Sequence, residues 1–377
     1  MKIVVAPNAF KGCLSGTEAA EAIIAGIKRV PKPYRIAKMP IADGGDGLLD
    51  VLSQRLPGAM ETMDVHDPLF RSARSDFFWS PGGRTALIEM AKASGLAMVA
   101  EKERDPDKTT SYGTGELIRR ALDLGAETIY LGIGGSATVD GGMGIAAALG
   151  VRFLDQDQKE LPPVGASLAR IRTIDRSRTD PRLEQVRIEI ICDVDNPLLG
   201  PNGAALVYGP QKGATPEQAL ALDAGMANLA DIVERDAGKD VRAVSGAGAA
   251  GGVGGAMYGL FDAKIRPGID VVLDLLDMES HVQEAKLVIT GEGQIDYQTA
   301  YGKAPAGIAK LAKKHGVPCV ALAGSIGKVT DELYDAGITA IISICCGPVS
   351  LHDAMCNGKT LLADSAEQVM RIYADFI

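Results

Sequence analysis

Residues Ile3-Val-Val-Ala6-Pro7-Asn8-Ala-Phe-Lys11-Gly-Cys-Leu-Ser15 decide how the rest of the chain is read. Three β-branched residues and an alanine, stopped by Pro7, make a short buried strand. A glycine-containing turn follows. Ser15 and Thr17 then open a helix whose Ala19, Ala20, Ile23, Ile24 and Ile27 recur at helical spacing. Arg35 to Met39 forms a second strand, which ends at Pro40 and runs into Ala42-Asp43-Gly-Gly-Asp46-Gly47. The order β–loop–α–β–loop–α is that of a parallel sheet with helices on its faces.

Beyond Asp67-Pro68 the texture changes. Arg71–Trp79 and Arg84–Glu89 read as antiparallel strands, joined by the turn at Pro81-Gly-Gly83. A helix over Thr114–Leu124, a strand over Thr128–Gly132, a glycine loop and a helix over Gly142–Leu149 come next. Residues 152–185 are polar and read as a surface excursion. A strand over Ile188–Cys192 leads into Asp193-Val-Asp195-Asn196-Pro197, and a long helix fits Pro216–Arg235 behind a Thr215 cap. From Lys286 the opening rhythm returns: strand Leu287–Thr290, loop Gly291–Lys303, helix Pro305–His315, strand Cys319–Ala323, a short helix at Asp331–Asp335, strand Ala340–Cys345 and a last helix from about Leu361. The expected fold is therefore α/β with two domains and a cleft between them. Residues 1–66 with 286–377 make a Rossmann-like or flavodoxin-like parallel-sheet domain, and 67–285 an inserted mixed α/β domain.

Composition narrows the function. The chain has 377 residues, 46% hydrophobic and 23% charged, which excludes a disordered chain. Its 39 Lys and Arg against 48 Asp and Glu leave a net charge of −9, so nucleic acid and anionic membranes are poor partners. The apolar run before Pro7 is too short for a signal-peptide core of about 7–15 residues. No stretch approaches the ~18 apolar residues of a spanning helix. The 6 cysteines form no C-x-x-C pair and the 4 histidines are scattered, so a reduced, cytoplasmic protein without a zinc site is expected. The 45 glycines, against only 5% aromatic residues, are the informative excess: they suit loops whose backbone comes close to a ligand.

Five glycine-rich or acidic loops are read as following strands. They are Asp43-Gly-Gly-Asp46-Gly, Gly134-Gly-Ser136-Ala-Thr-Val-Asp140-Gly-Gly, Asp193-Val-Asp195-Asn196, Gly246-Ala-Gly248-Ala-Ala-Gly-Gly252 and Gly291-Glu292-Gly-Gln-Ile-Asp296. Any one Asp-Gly-Gly is an ordinary turn; their recurrence is what carries weight. Bare amides crowd phosphate oxygens, carboxylates hold Mg²⁺, and an acid near a hydroxyl serves as a base. That combination suits phosphoryl transfer. Lys11, Lys212 and Lys303, all in loops, add point charges for phosphates. Two formal motif matches carry less. Gly246-Ala-Gly248-Ala-Ala-Gly251 fits the dinucleotide pattern G-x-G-x-x-G, but the segment before it is too polar for a buried strand. Gly358-Lys-Thr360 resembles the end of a P-loop, yet position 353 is Asp where that motif needs Gly.

Taken in order, these blocks resemble the class I glycerate kinases. Ala6-Pro-Asn8-Ala-Phe-Lys11-Gly-Cys-Leu-Ser15 is similar to that family's A-P-D-S-F-K-G-S-L-S opening, and Pro40-Ile-Ala-Asp43-Gly-Gly-Asp46-Gly47 to its P-x-A-D-G-G-E-G loop. Ser111-Tyr-Gly-Thr-Gly-Glu116, Gly134–Gly142, Asp193–Pro197, Gly209-Pro-Gln211-Lys212-Gly, Gly246–Gly252, Gly291–Asp296 and Gly302-Lys303-Ala-Pro continue the series. The resemblance implies phosphorylation of D-glycerate by ATP with Mg²⁺, 2-phosphoglycerate being the favoured product. Asn8, where the family commonly has Asp, does not accept a proton, so the base moves to Asp193, with Asp195 or Asp140 next. Lys11 joins Asp193 and Asp140 as a catalytic candidate. Glu292 and Asp296, or Asp43, hold the metal. Asp43, Asp46, Ser136, Asp195, Asn196, Gln211, Lys212, Gly248 and Lys303 are the expected contacts to substrate and ATP, and Arg71 or Arg84 the counter-charge for the glycerate carboxylate. A kinase of another small hydroxy acid and an NAD-dependent dehydrogenase are the alternatives. A homodimer is left open.

Overall fold

The computed structural model describes residues 1–42, 53, 56–300 and 302–375. Asp43 and Asp46 lie outside the described residues. In chain order the strands are β1 (Lys2–Pro7), β2 (Arg35–Lys38), β3 (Ala59–His66), β4 (Ser72–Ser80), β5 (Thr85–Glu89), β6 (Thr128–Gly132), β7 (Arg152–Leu154), β8 (Thr173–Asp175), β9 (Arg187–Ile191), β10 (Lys264–Arg266), β11 (Leu287–Ile295), β12 (Cys319–Ile326) and β13 (Ile338–Ser343). The chain divides into two compact units, Met1–Arg55 with Pro267–Ile377, and Leu56–Arg266. These junctions differ from 66/67 and 285/286 for physical reasons. All of β3 pairs with β4 of the second unit. Helix Gly268–Leu275 belongs to the first, where Ile269 packs against Gly307 of helix Ala304–Lys314.

The first unit is an all-parallel sheet in the order β13-β12-β11-β1-β2. Ile3, Val4 and Val5 of β1 and Leu287, Val288 and Ile289 of β11 have no exposed surface, as central strands covered on both faces require. Helix Gly16–Lys28 starts at a capping box in which Ser15 and Glu18 satisfy each other's backbone N–H. Its Ala19, Ala20, Ile23 and Ile27 share one core with Leu362, Ala366, Val369 and Met370 of the helix Gly358–Asp375. β11 runs to Ile295, so Glu292 lies inside a strand, opposite Ala323 of β12, rather than in the expected loop.

The second unit carries a sheet in the order β10-β9-β6-β5-β4-β3. β10, β9, β6 and β5 are mutually parallel, while β4 is antiparallel to both of its neighbours. Hence β3, β5, β6, β9 and β10 all end at one edge. Helix Pro216–Ala237 has the expected Thr215 cap, completed by Gln218, and stops at Gly238 with φ +72°. Two expectations fail here. Residues 152–185 are no surface excursion: β7 and β8 pair, and Phe153, Leu161, Leu168, Ile171, Ile174 and Leu183 are buried in the unit's core. The run Gly246–Gly252 does not follow a strand but an irregular segment after helix Pro216–Ala237, which agrees with the small weight given to the G-x-G-x-x-G match.

Candidate active site

In the second unit β6 and β9 end abreast, with Gly132 opposite Ile191. The strap 133–142 and the loop 192–197 therefore leave the same sheet edge, where parallel sheets bind ligands. The glycine run 246–252 joins them. Gly248 N–H donates to Asn196 O at 3.0 Å, and Gly141 N–H to Gly251 O at 3.0 Å. Ala250, Gly251 and Gly252 take φ of 54°, 70° and 94°, a left-handed kink at the start of helix Ala249–Phe261. A Cβ on Gly251 would lie 2.0 Å from Thr138 O, and one on Gly248 2.2 Å from Pro197 O. Glycine is needed there because backbone meets backbone.

Asp140, expected among the catalytic acids, has no exposed surface. Its Oδ2 accepts from Ser111 N–H and Ser111 Oγ, both at 2.7 Å, and from Gly144 N–H at 3.1 Å. Its Oδ1 accepts from Gly142 N–H at 3.0 Å. Burial pushes its carboxyl pKa up and those donors pull it back. The side chain thus ties the strap to the start of helix Tyr112–Asp123 instead of facing a ligand. Lys212, on the turn Pro210–Lys212, is also inside the protein at 2% exposure. Its ammonium donates to Ser136 Oγ at 2.8 Å and Thr138 O at 2.7 Å. Burial lowers its pKa to about 7, against the pull of Asp140. Around Ser136 the strap is held on both sides, by Leu96 N–H donating to Gly135 O and Ala137 N–H to Ser94 O. The N–H groups of Gly134, Gly135 and Ser136 have no acceptor among the described residues.

Asp193, Asp195 and Gln211 are exposed. Asn196 is spent on the protein: its Nδ2 donates to Asn202 O and its Oδ1 accepts from Tyr208 Oη. Gly248 likewise gives its N–H to Asn196. These two and Asp140 shape the loops, while Asp193 and Asp195 are exposed at the sheet edge.

In the first unit, β1 and β11 end side by side, and Asn8 N–H donates to Gly291 O at 2.8 Å. Lys11, exposed, follows on the turn after Phe10, with its backbone N 3.5 Å from where a Gly293 Cβ would stand. Glu292 is 7% exposed and accepts from Thr299 Oγ1 at 2.9 Å. The same hydroxyl accepts from Asp296 N–H at 3.3 Å, so Thr299 links the two acids. Asp296 accepts from Gln294 Nε2 and Gln298 N–H, one at each oxygen, which leaves each oxygen a lone pair. Two hard carboxylates of this kind suit Mg²⁺. Lys303, half-buried, stands just before helix Ala304–Lys314, and its side chain makes no capping bond to it.

Sequence reasoning missed two organising hydroxyls, Ser111 and Thr299. Each sits one to three residues from a turn or helix start, and that spacing was the available signal. It also overrated Arg71 and Arg84. Arg71 is bound to Asp67 and Glu103, and Arg84 pairs with Glu127 at the opposite end of the strands. His66, at the end of β3, sets Nδ1 3.1 Å from the buried Glu116, with Tyr112 and Phe70 edge-on or tilted nearby.

A sequence model of the glycerate kinase family matches residues 3–374. The chain is 47% identical over 374 residues to a glycerate kinase of Haemophilus influenzae, covering 99% of each. It is 42% identical over 354 residues to the glycerate 2-kinase of Escherichia coli, covering 94% of this chain and 93% of the other. A crystal structure from Salmonella typhimurium LT2, provisionally assigned by its description as glycerate kinase 2, superposes with a TM-score of 0.89 at 42% identity, over 100% of this chain and 98% of that one.

Proposed function

The chain belongs to the glycerate kinase family, and we propose that it transfers the terminal phosphoryl group of ATP to D-glycerate, at the 2-hydroxyl. The observation that carries this reading is the strap at the end of β6, with three adjacent unspent N–H groups at Gly134, Gly135 and Ser136. Such a row of amides suits an anionic oxygen. The 2-position follows the likeness to the Escherichia coli glycerate 2-kinase.

Roles divide by chemistry. Asp193, exposed at the end of β9, takes the proton of the attacking hydroxyl, with Asp195 as its neighbour. Glu292 and Asp296 hold Mg²⁺, linked by Thr299. Bound there, the metal supplies charge neutralisation for phosphate oxygens. Lys11, Lys303 and Gln211 are solvent-reachable donors for substrate or nucleotide oxygens. Asp140, Asn196 and Gly248 keep the loops in place. Phosphoryl transfer asks for positioning and charge compensation more than covalent help, so loops locked by buried contacts are the useful contribution. All six cysteines are free thiols, in accord with a cytoplasmic setting. No helix among the described residues is long and apolar enough to cross a membrane.

The test is ADP release with Mg²⁺ and a panel of small hydroxy acids. D-glycerate should give the highest kcat/KM. Preference for another acid by tenfold or more would reassign the substrate; reduction of a nicotinamide cofactor without ADP release would replace the kinase reading.

A further inference from the structure

We propose that Lys212 is a positioning residue that makes Ser136 a hydrogen-bond donor to an anionic substrate oxygen, and that the ammonium itself touches no substrate. The proposal rests on the kinase reading and says how the second unit meets an anion.

A serine hydroxyl has one hydrogen to give and two lone pairs. The Lys212 ammonium donates to Ser136 Oγ at 2.8 Å, which occupies a lone pair and leaves the O–H to donate elsewhere. Among the described residues nothing accepts that hydrogen. An ammonium bonded to the oxygen also polarises the O–H, strengthening it as a donor. Lys212 cannot swing out to do the work itself. It is 2% exposed, and its second bond, to Thr138 O at 2.7 Å, holds it across the strap. Ser136 is pinned by its flanks, since Gly135 O and Ala137 N–H are bonded to the segment Ser94–Leu96, and Thr109 Oγ1 donates to Ala137 O at 3.1 Å. The hydroxyl therefore sits beside the free N–H groups of Gly134, Gly135 and Ser136 on a rigid strap. Donors on consecutive residues of one strap suit a phosphate oxygen of the nucleotide or the carboxylate of the acid, which share the same chemistry.

The lysine's charge follows from its surroundings. Asp140 on the strap faces it; Arg104, Asp105 and Asp107 belong to the segment that Gly213 packs against. Asp105 and Asp107 are engaged by Lys108 and Gln218. Burial dominates, and brings the free lysine to about 7. An anion at Ser136 favours the charged form, so kcat/KM should fall as pH rises beyond that value.

The experiment is steady-state kinetics of the full chain, Ser136→Ala, Lys212→Met and the double variant, from about pH 6 to about pH 9. Ser136→Ala should lower kcat/KM about 10–100-fold, the loss of one hydrogen bond to a charged group. Lys212→Met should lower it at least as far and lose the alkaline limb. The double variant should be within about threefold of Lys212→Met, because the two residues act as one unit. A rise in KM for ATP identifies the anion as phosphate, a rise for D-glycerate as carboxylate; either supports the proposal. It is overturned if Ser136→Ala melts and turns over like wild type, if the two losses multiply, or if Lys212→Met keeps the limb. Should Lys212→Met not fold, Ser136→Ala decides alone. If the wild-type chain leaves D-glycerate unphosphorylated, the kinase reading falls instead. Calorimetric titration with ATP and with D-glycerate then decides: weaker binding of either by Ser136→Ala upholds the donor, and unchanged binding of both removes it.

Discussion

Residues with the same side chain stand in opposite surroundings in this protein, and burial separates them. Asp140 and Asp193 both follow parallel strands, but Asp140 is fully buried among four donors while Asp193 is an exposed residue. Sequence position told both apart from turn residues and could not tell them from each other, because hydrogen-bond saturation is a property of the folded surroundings. Asp193→Asn should cut kcat by at least about 100-fold with ATP affinity nearly unchanged; near-normal turnover in steady-state assays would take Asp193 out of the role. Lys212 makes a second residue-scale prediction. Its folded pKa of about 7 lies below the unfolded value of ~10.4. Between those values the unfolded chain holds a proton that the folded chain has released, so stability should climb with pH across that window and level off on either side. Urea melts of wild type should show the climb. Lys212→Met should lack it, and an identical pH profile in both would show that the lysine stays charged in the folded state.

Elements were legible where burial and pattern agree. β1, β6 and the helices Gly16–Lys28 and Pro216–Ala237 have continuous apolar runs or capped helical spacing, and their bounds could be read within a residue or two. β3 could not be read, because Glu61 and Asp64 interrupt its apolar residues and it is an edge strand with one solvated face. β7 and β8 hid for another reason: each is 3 residues long, and polar turns surround the few buried side chains that they bring to the core. The glycine run 246–252 was legible as close-approach backbone but not as a kinked helix start, since three consecutive left-handed residues depend on the strap beside them. Replacement tests this. Gly251→Ala, whose Cβ would meet Thr138 O at 2.0 Å, should cost about 2–4 kcal/mol in urea unfolding. Gly238→Ala, with φ +72° but open space around it, should cost only about 1 kcal/mol. Equal costs would mean that the strap yields.

At the scale of the whole molecule, two units each build their own core and each set loops at the carboxyl ends of parallel strands. Family membership spans residues 3–374, so the resemblance extends through both units and not one alone. The opening stretch Ile3–Ser15 announced the parallel sheet of the first unit; in the second unit's mixed sheet the antiparallel pair Arg71–Trp79 and Arg84–Glu89 and the strands Thr128–Gly132 and Ile188–Cys192 were foreseen, while the edge strands β3 and β10 were not, because sheet edges leave a weaker pattern than buried strands. The most direct measurement is ³¹P NMR of a reaction holding the chain, ATP, Mg²⁺ and D-glycerate. A new phosphomonoester doublet, split by the single proton on carbon 2, is the predicted product signal, and it should grow in step with ADP. Appearance of inorganic phosphate alone, or ATP left intact beside D-glycerate, would contradict the account.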